Sequence, residues 1–303
     1  MSSTLNVTFW GVRGSYPMPG PQTARIGGNT ACVEVRAGKH LIILDAGTGI
    51  IGLGRALMAQ QRNDHHPITA TMLFSHTHHD HTQGFPFFQP IYTPSTTLHV
   101  FGPKTLSEDL EQVLSRAMLP PVFPVDFDHL PCVRVMRNLN EGEAIILNHG
   151  KTEPHVLIEQ RDPLPVSPEN VLIRAMRSSA HPQGVFVYRI EHGGKAIVYA
   201  TDTEGYAGGD QRLIRFARDA TLLIHDAQYT EAEYAHASVP KQGWGHSTWQ
   251  MAVAVAQAAN VQKLILFHHE PEHDDDTVEQ IGREAQTVFP ASVIAREGMH
   301  IEV

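Results

Sequence analysis

The chain has 303 residues, 42% hydrophobic and 18% charged, with 24 glycines and 20 prolines spread along it, a make-up that excludes a disordered or fibrous protein and fits a turn-rich globular one. Its formal charge of -9 leaves no general basic surface for gripping long nucleic acid, so extended nucleic-acid binding is not expected beyond what a local basic patch would allow. No apolar run reaches membrane-spanning length, and Cys32 and Cys132 match neither a disulfide framework nor a C-x-x-C zinc site, so a cytoplasmic, reducing setting is expected.

In chain order, the segment from Leu5 to Trp10 reads as a strand and lacks the basic and apolar regions of a leader peptide. Further β-branched, apolar runs of strand length lie at residues 7–12, 31–35, 41–44, 69–74 and 98–101. Thr105 and Glu108 form a capping-box pattern ahead of Leu106, Leu110, Val113 and Leu114, which share one helical face. Strands are expected again at 144–147, 171–176, 185–190, 196–200, 221–224 and 263–267. Ser247 and Gln250 repeat the capping pattern, and a last helix follows Asp276 and Glu279, with Val278, Ile281, Ala285 and Val288 spaced for burial. Without a linker-like shift in composition, the pattern predicts one α/β domain over 1–303, with a Pro-rich, charged surface excursion at 149–170.

Histidine is the anomaly, with 20 residues gathered in short clusters. The strand at 69–74 runs into Ser75-His76-Thr77-His78-His79-Asp80-His81. Ligands at alternate positions of an extended segment point the same way, so His76 and His78 can share one cation, while Asp80 and His81 reach a second after the chain turns. His79 has the wrong parity and is expected in solvent or bonded behind a ligand. His225, His273 and the run Asp274-Asp275-Asp276 are explained by a loop and a helix start.

The H-x-H-x-D-H pattern resembles the signature of the metallo-β-lactamase superfamily, in its phosphodiesterase and ribonuclease Z-like branch, and the resemblance runs over nearly the whole chain. It implies a four-layer αββα sandwich with two mixed sheets. It also implies three further ligands at strand ends, positions taken here by His181, Asp202 and His268, although His269 adjoins the last. In the implied site His76, His78 and His181 hold one metal, Asp80, His81 and His268 the other, and Asp202 bridges. Zinc is the first choice for the two divalent ions, with manganese and iron compatible.

Residues 10–15, 27–30 and 44–49 resemble the opening turns of the same branch, their glycines serving tight turns and Asp45 orienting a ligand histidine. Gly245-His246-Ser247-Thr248 resembles the segment that places a histidine beside the scissile phosphate. The resemblance therefore implies a phosphodiester hydrolase using Asp80 and His246 catalytically, and an aspartate at 202, where sulfur-ligated β-lactamases carry cysteine, argues against antibiotic hydrolysis. The partner expected first is a small phosphodiester such as a cyclic nucleotide, with no membrane, and a homodimer is possible. tRNA 3′ processing, carboxyl-ester or lactone hydrolysis, and a non-catalytic metal-binding sensor are the alternatives.

Overall fold

The computed structural model describes residues 4–104, 108–164, 167–206 and 209–303. The first half of the chain runs β1 (Leu5–Gly11), β2 (Cys32–Ala37), β3 (His40–Leu44), α1 (Ile50–Asp64), β4 (Thr69–Leu73), α2 (His79–Thr82), β5 (Thr97–Pro103), α3 (Leu110–Arg116) and β6 (Val133–Leu139). The second runs β7 (Glu143–Leu147), β8 (His155–Ile158), β9 (Val171–Ser178), β10 (Val185–His192), β11 (Lys195–Ala200), α4 (Gln211–Phe216), β12 (Leu222–Asp226), α5 (Glu231–Tyr234) and α6 (Trp249–Ala258). It closes with β13 (Leu264–Phe267), α7 (Asp275–Val288), β14 (Ser292–Ile294) and β15 (His300–Glu302).

Two mixed sheets result, in the orders β15-β1-β2-β3-β4-β5-β6 and β14-β13-β12-β11-β10-β9-β7-β8. Period-two alternation decides which side chains meet between them. Leu5, Val7 and Phe9 of β1 and Ile42 and Leu44 of β3 face the second sheet, whereas Leu41 and Ile43 join Leu53 and Leu57 of α1 on the outside. Each such buried side chain contributes about 1.5–3 kcal/mol. Helices α1 and α3 cover the first sheet, and α6 and α7 cover the second, giving the expected αββα layering.

The parallel strands carry the functional ends. Strands β3, β4 and β5 run parallel in one sheet and β11, β12 and β13 in the other, with Ala200 beside His225 and His225 beside Leu266. Residues just beyond these strands therefore emerge at one level, where sheets of this kind open a crevice.

Several local expectations shift. Thr105 and Leu106 lie outside the described residues, and α3 starts at Leu110, capped by Asp109 with Gln112 reciprocating. Thr248, not Ser247, caps α6, because the Ser247 hydroxyl donates to the Thr203 carbonyl at 2.5 Å. Asp274 caps α7, and Val288, at its frayed end, is half exposed instead of buried. Within 149–170, β8 pairs with β7 and extends the second sheet to its edge.

Candidate metal centre

Strand β4 ends at Leu73, and Ser75 to His81 turn from it into α2, presenting His76, His78, Asp80 and His81 at the crevice. Asp202 follows β11, His268 directly follows β13, and His181 lies just past β9. Asp45, Asp202 and His268 all adopt left-handed backbone (φ 60, 51 and 62). Non-glycine residues accept this conformation where the surroundings fix it, as they commonly do at functional sites.

The tautomers can be read from fixed partners. His81 Nδ1 donates to Asp45 Oδ2 at 2.8 Å, His181 Nδ1 to the Gly245 carbonyl at 3.1 Å, and His268 Nδ1 to Gln228 Oε1 at 3.1 Å. The Ser75 hydroxyl donates to Asp45 at 2.7 Å and so accepts from His76 Nδ1 at 3.1 Å. In the neutral form of these four rings, the form that ligates a cation, Nε2 would carry no proton, and it is turned inward. His78 presents Nδ1 instead, 3.0 Å from His181 Nε2.

These nitrogens form two groups around one carboxylate. Asp202 Oδ1 lies 3.2 Å from both His81 Nε2 and His268 Nε2, and Asp80 Oδ2 lies 3.2 and 3.1 Å from the same two atoms. Asp202 Oδ2 faces His76 Nε2 at 3.6 Å and His181 Nε2 at 4.0 Å. One oxygen toward each group is the geometry of a bridge.

Donor chemistry fits cations in both halves. His76 Nε2 is buried with no hydrogen-bond partner, which a folded protein rarely tolerates at an acceptor nitrogen. His81 Nε2 and His268 Nε2 approach to 3.2 Å, close for two unprotonated nitrogens. Burial pushes His76 well below the usual imidazole range and so keeps it neutral, the form that ligates. Burial would raise the Asp202 carboxyl, but the imidazoles of His268 and His81 outweigh it and hold the group well below the usual carboxylate range.

His268, and not its neighbour, enters the cluster: His269 Nε2 bonds the Ala295 carbonyl at 3.0 Å, and burial beside Arg13 lowers it to about 3. His79 is exposed on the cavity wall. His225 bonds the Asp226 carbonyl, His273 pairs with Glu233 at 2.6 Å, and Asp275 accepts from the backbone of Arg25 and Ile26.

His246 lies behind a cavity of about 810 Å³ that also meets His78, Asp80, Asp202 and Arg177. Its Nδ1 contacts Asp226 Oδ2 at 2.7 Å. Burial alone would lower this imidazole, but Asp226, with Asp202 and Asp80 beyond, holds it up to about 9. Asp226 was not singled out in the sequence, and neither was Gln228; the available signal was an aspartate closing β12, a strand otherwise wholly buried. Asp226, His246, His268 and Asp202 could form a third metal-ligating group. The Asp226 oxygens are committed, however, to His246 and to the amides of Ser247 (2.9 Å) and Gln228 (3.2 Å).

The glycines do other work than turning the chain. A Cβ on Gly14 would lie 2.5 Å from the His268 ring, so this glycine admits the ligand; the next residue, Ser15, donates its amide to Asp80 Oδ2 at 2.8 Å.

A family model described as beta-lactamase superfamily domain matches residues 40–269. A ribonuclease Z of Picrophilus torridus is 23% identical, covering 100% of this chain and 97% of its own length, and one of Methanosarcina acetivorans is 26% identical, covering 99% and 98%. Among solved structures, the metallo-beta-lactamase fold protein YhfI of Bacillus subtilis superposes with a TM-score of 0.67 at 20% identity, covering both chains fully. The short form of human tRNase Z superposes at 0.60 with 19% identity and 98% coverage of each chain. These relatives overturn the expectation, drawn from net charge, that extended nucleic acid is not a partner. Whole-chain charge averages over the surface and carries no information on the few square nanometres that meet a substrate.

Proposed function

The chain belongs to the β-lactamase superfamily and is a metal-dependent hydrolase of it, and from that premise we propose that it hydrolyses a phosphodiester of RNA with two divalent ions. In this reading His76, His78 and His181 hold one ion, Asp80, His81 and His268 the other, and Asp202 both. The observation that carries it is Asp202, directing one oxygen into each imidazole group. Ions in that donor set would polarise a phosphoryl oxygen and lower the pKa of a bound water.

The chain's own groups supply the rest. Burial would raise the Asp80 carboxyl, but His81 and His268 keep it ionised, and it lines the cavity where it can take a proton from the attacking water. His246, fixed by Asp226, carries a proton into the same cavity and can deliver it to the departing oxygen. Tyr199 and Ser75 join His81 on Asp45, so this half of the site rests on a buried carboxylate tied to both sheets.

RNA ranks first because relatives matched end to end are named ribonuclease Z. A small cyclic nucleotide is the second reading, favoured by a cavity of about 810 Å³, the size of a small-molecule site. A substrate panel on metal-loaded protein separates them: RNA with a 3′ extension, a cyclic nucleotide, a penicillin and a lactone. Cleavage of a diester ahead of the other two is expected. Lactone or penicillin turnover without diester cleavage would overturn the proposal, and metal binding without any turnover would favour the sensor.

A further inference from the structure

A second cavity, of about 620 Å³, adjoins the metal centre and is lined in part by Arg177, His181, Gln183, Tyr206 and Gly243. It shares Arg177 and Gln183 with the cavity in front of the ligands. Among the described residues the Arg177 side chain has no carboxylate partner; its one side-chain hydrogen bond is a long 3.4 Å contact to the Gln183 carbonyl. Arg116, a second guanidinium on the wall, is paired with Glu108 at 2.7 Å. Arg177 lies against Gly184, where a Cβ would approach Nε to 3.1 Å and where φ is +84, so the guanidinium rests where only glycine fits. An exposed guanidinium with no carboxylate partner among the described residues, shared by two cavities, suits a phosphate.

Tyr206 lines this cavity, and Trp244 directly follows Gly243 of its wall. Tyr206 is 52% exposed and Trp244 51%, unusual for rings that could be buried. Glu204 accepts from the amides of Gly243 at 2.7 Å and Gly245 at 2.9 Å, which pins the backbone on both sides of Trp244. The Glu204 amide in turn bonds the Ala180 carbonyl, next to His181. The Lys241 ammonium sits 3.9 Å from the centre of the Trp244 ring. Trp244 is thus a fixed platform two residues before His246.

We propose that Arg177, Tyr206 and Trp244 form a subsite for the nucleotide next to the cleaved bond, the guanidinium on its phosphate and the rings on its base. This rests on the phosphodiesterase reading and narrows it to single-stranded chains, because stacking needs an unpaired base and tolerates any sequence.

Rapid mixing of the metal-loaded protein with a six-nucleotide single-stranded RNA tests the subsite. Tryptophan fluorescence should be quenched, and Trp244→Phe should abolish the quench, since Trp249 is buried and Trp10 is half-buried with its indole N–H on Glu34. Trp244→Ala and Tyr206→Ala should each weaken RNA binding by roughly five- to a hundredfold. Arg177→Ala should make the logarithmic salt dependence shallower by about 0.7. On methyl nitrophenyl phosphate, which has neither second phosphate nor base, the same variants should lose less than about twofold, because the stacking and phosphate contacts that they remove have nothing to meet there. Variants that bind and cleave RNA like the parent would overturn the subsite. A quench without cleavage of any diester would sustain the subsite and overturn the proposed reaction.

Discussion

Asp226 Oδ2 lies 2.7 Å from His246 Nδ1, and both groups are buried at the ends of segments that meet only in the folded chain. This carboxylate is the largest influence opposing burial on that imidazole, which stands at about 9. An acid must be protonated to act, so cleavage of an alkyl diester should fall as pH rises through this value. Asp226→Asn keeps the shape and removes the charge; the descending limb of kcat/KM against pH should then move to lower pH, checked by a full profile for each protein.

His246→Ala removes the proton donor itself. An alkyl diester expels a basic oxygen and should lose about a hundredfold or more, whereas a nitrophenyl diester, whose leaving group needs little protonation, should lose far less. Parallel kinetics on the two substrates checks this. Equal losses would make His246 a binding residue.

Asp45 is fully buried, and it accepts from His81 Nδ1, from the amide and hydroxyl of Ser75 and from Tyr199. Asp45→Asn should weaken metal retention by about ten- to a hundredfold, measured by chelator competition. The loss should fall first on the ion held by Asp80, His81 and His268.

The residues that gather in the two groups were legible because they are local or end apolar strands: four fall within six residues, and Asp202 and His268 each follow a run of buried side chains. Asp226 and Gln228 were not legible, since their value comes from register between β12 and β13, which no short pattern encodes. Helix α1 escaped for a different reason. It has glycine at its N-cap and inside its first turns, which depresses helix propensity, and packing on the first sheet overrides that cost. Strand β6 was missed because half-buried Arg134, Met136 and Asn138 alternate with exposed Val133, Val135 and Arg137 at a sheet edge. Gly14 read as a turn residue because a sequence does not show what approaches from β13.

The most direct test is metal content by elemental analysis of protein reconstituted with zinc or manganese, compared with Asp202→Ala and His79→Ala. Asp202 offers one oxygen to each imidazole group, while His79 is exposed and lies outside both groups. Two equivalents per chain are expected for the parent and for His79→Ala, and a loss from both positions in Asp202→Ala. No retained metal in the parent, or identical content in the two variants, would contradict the two-ion site.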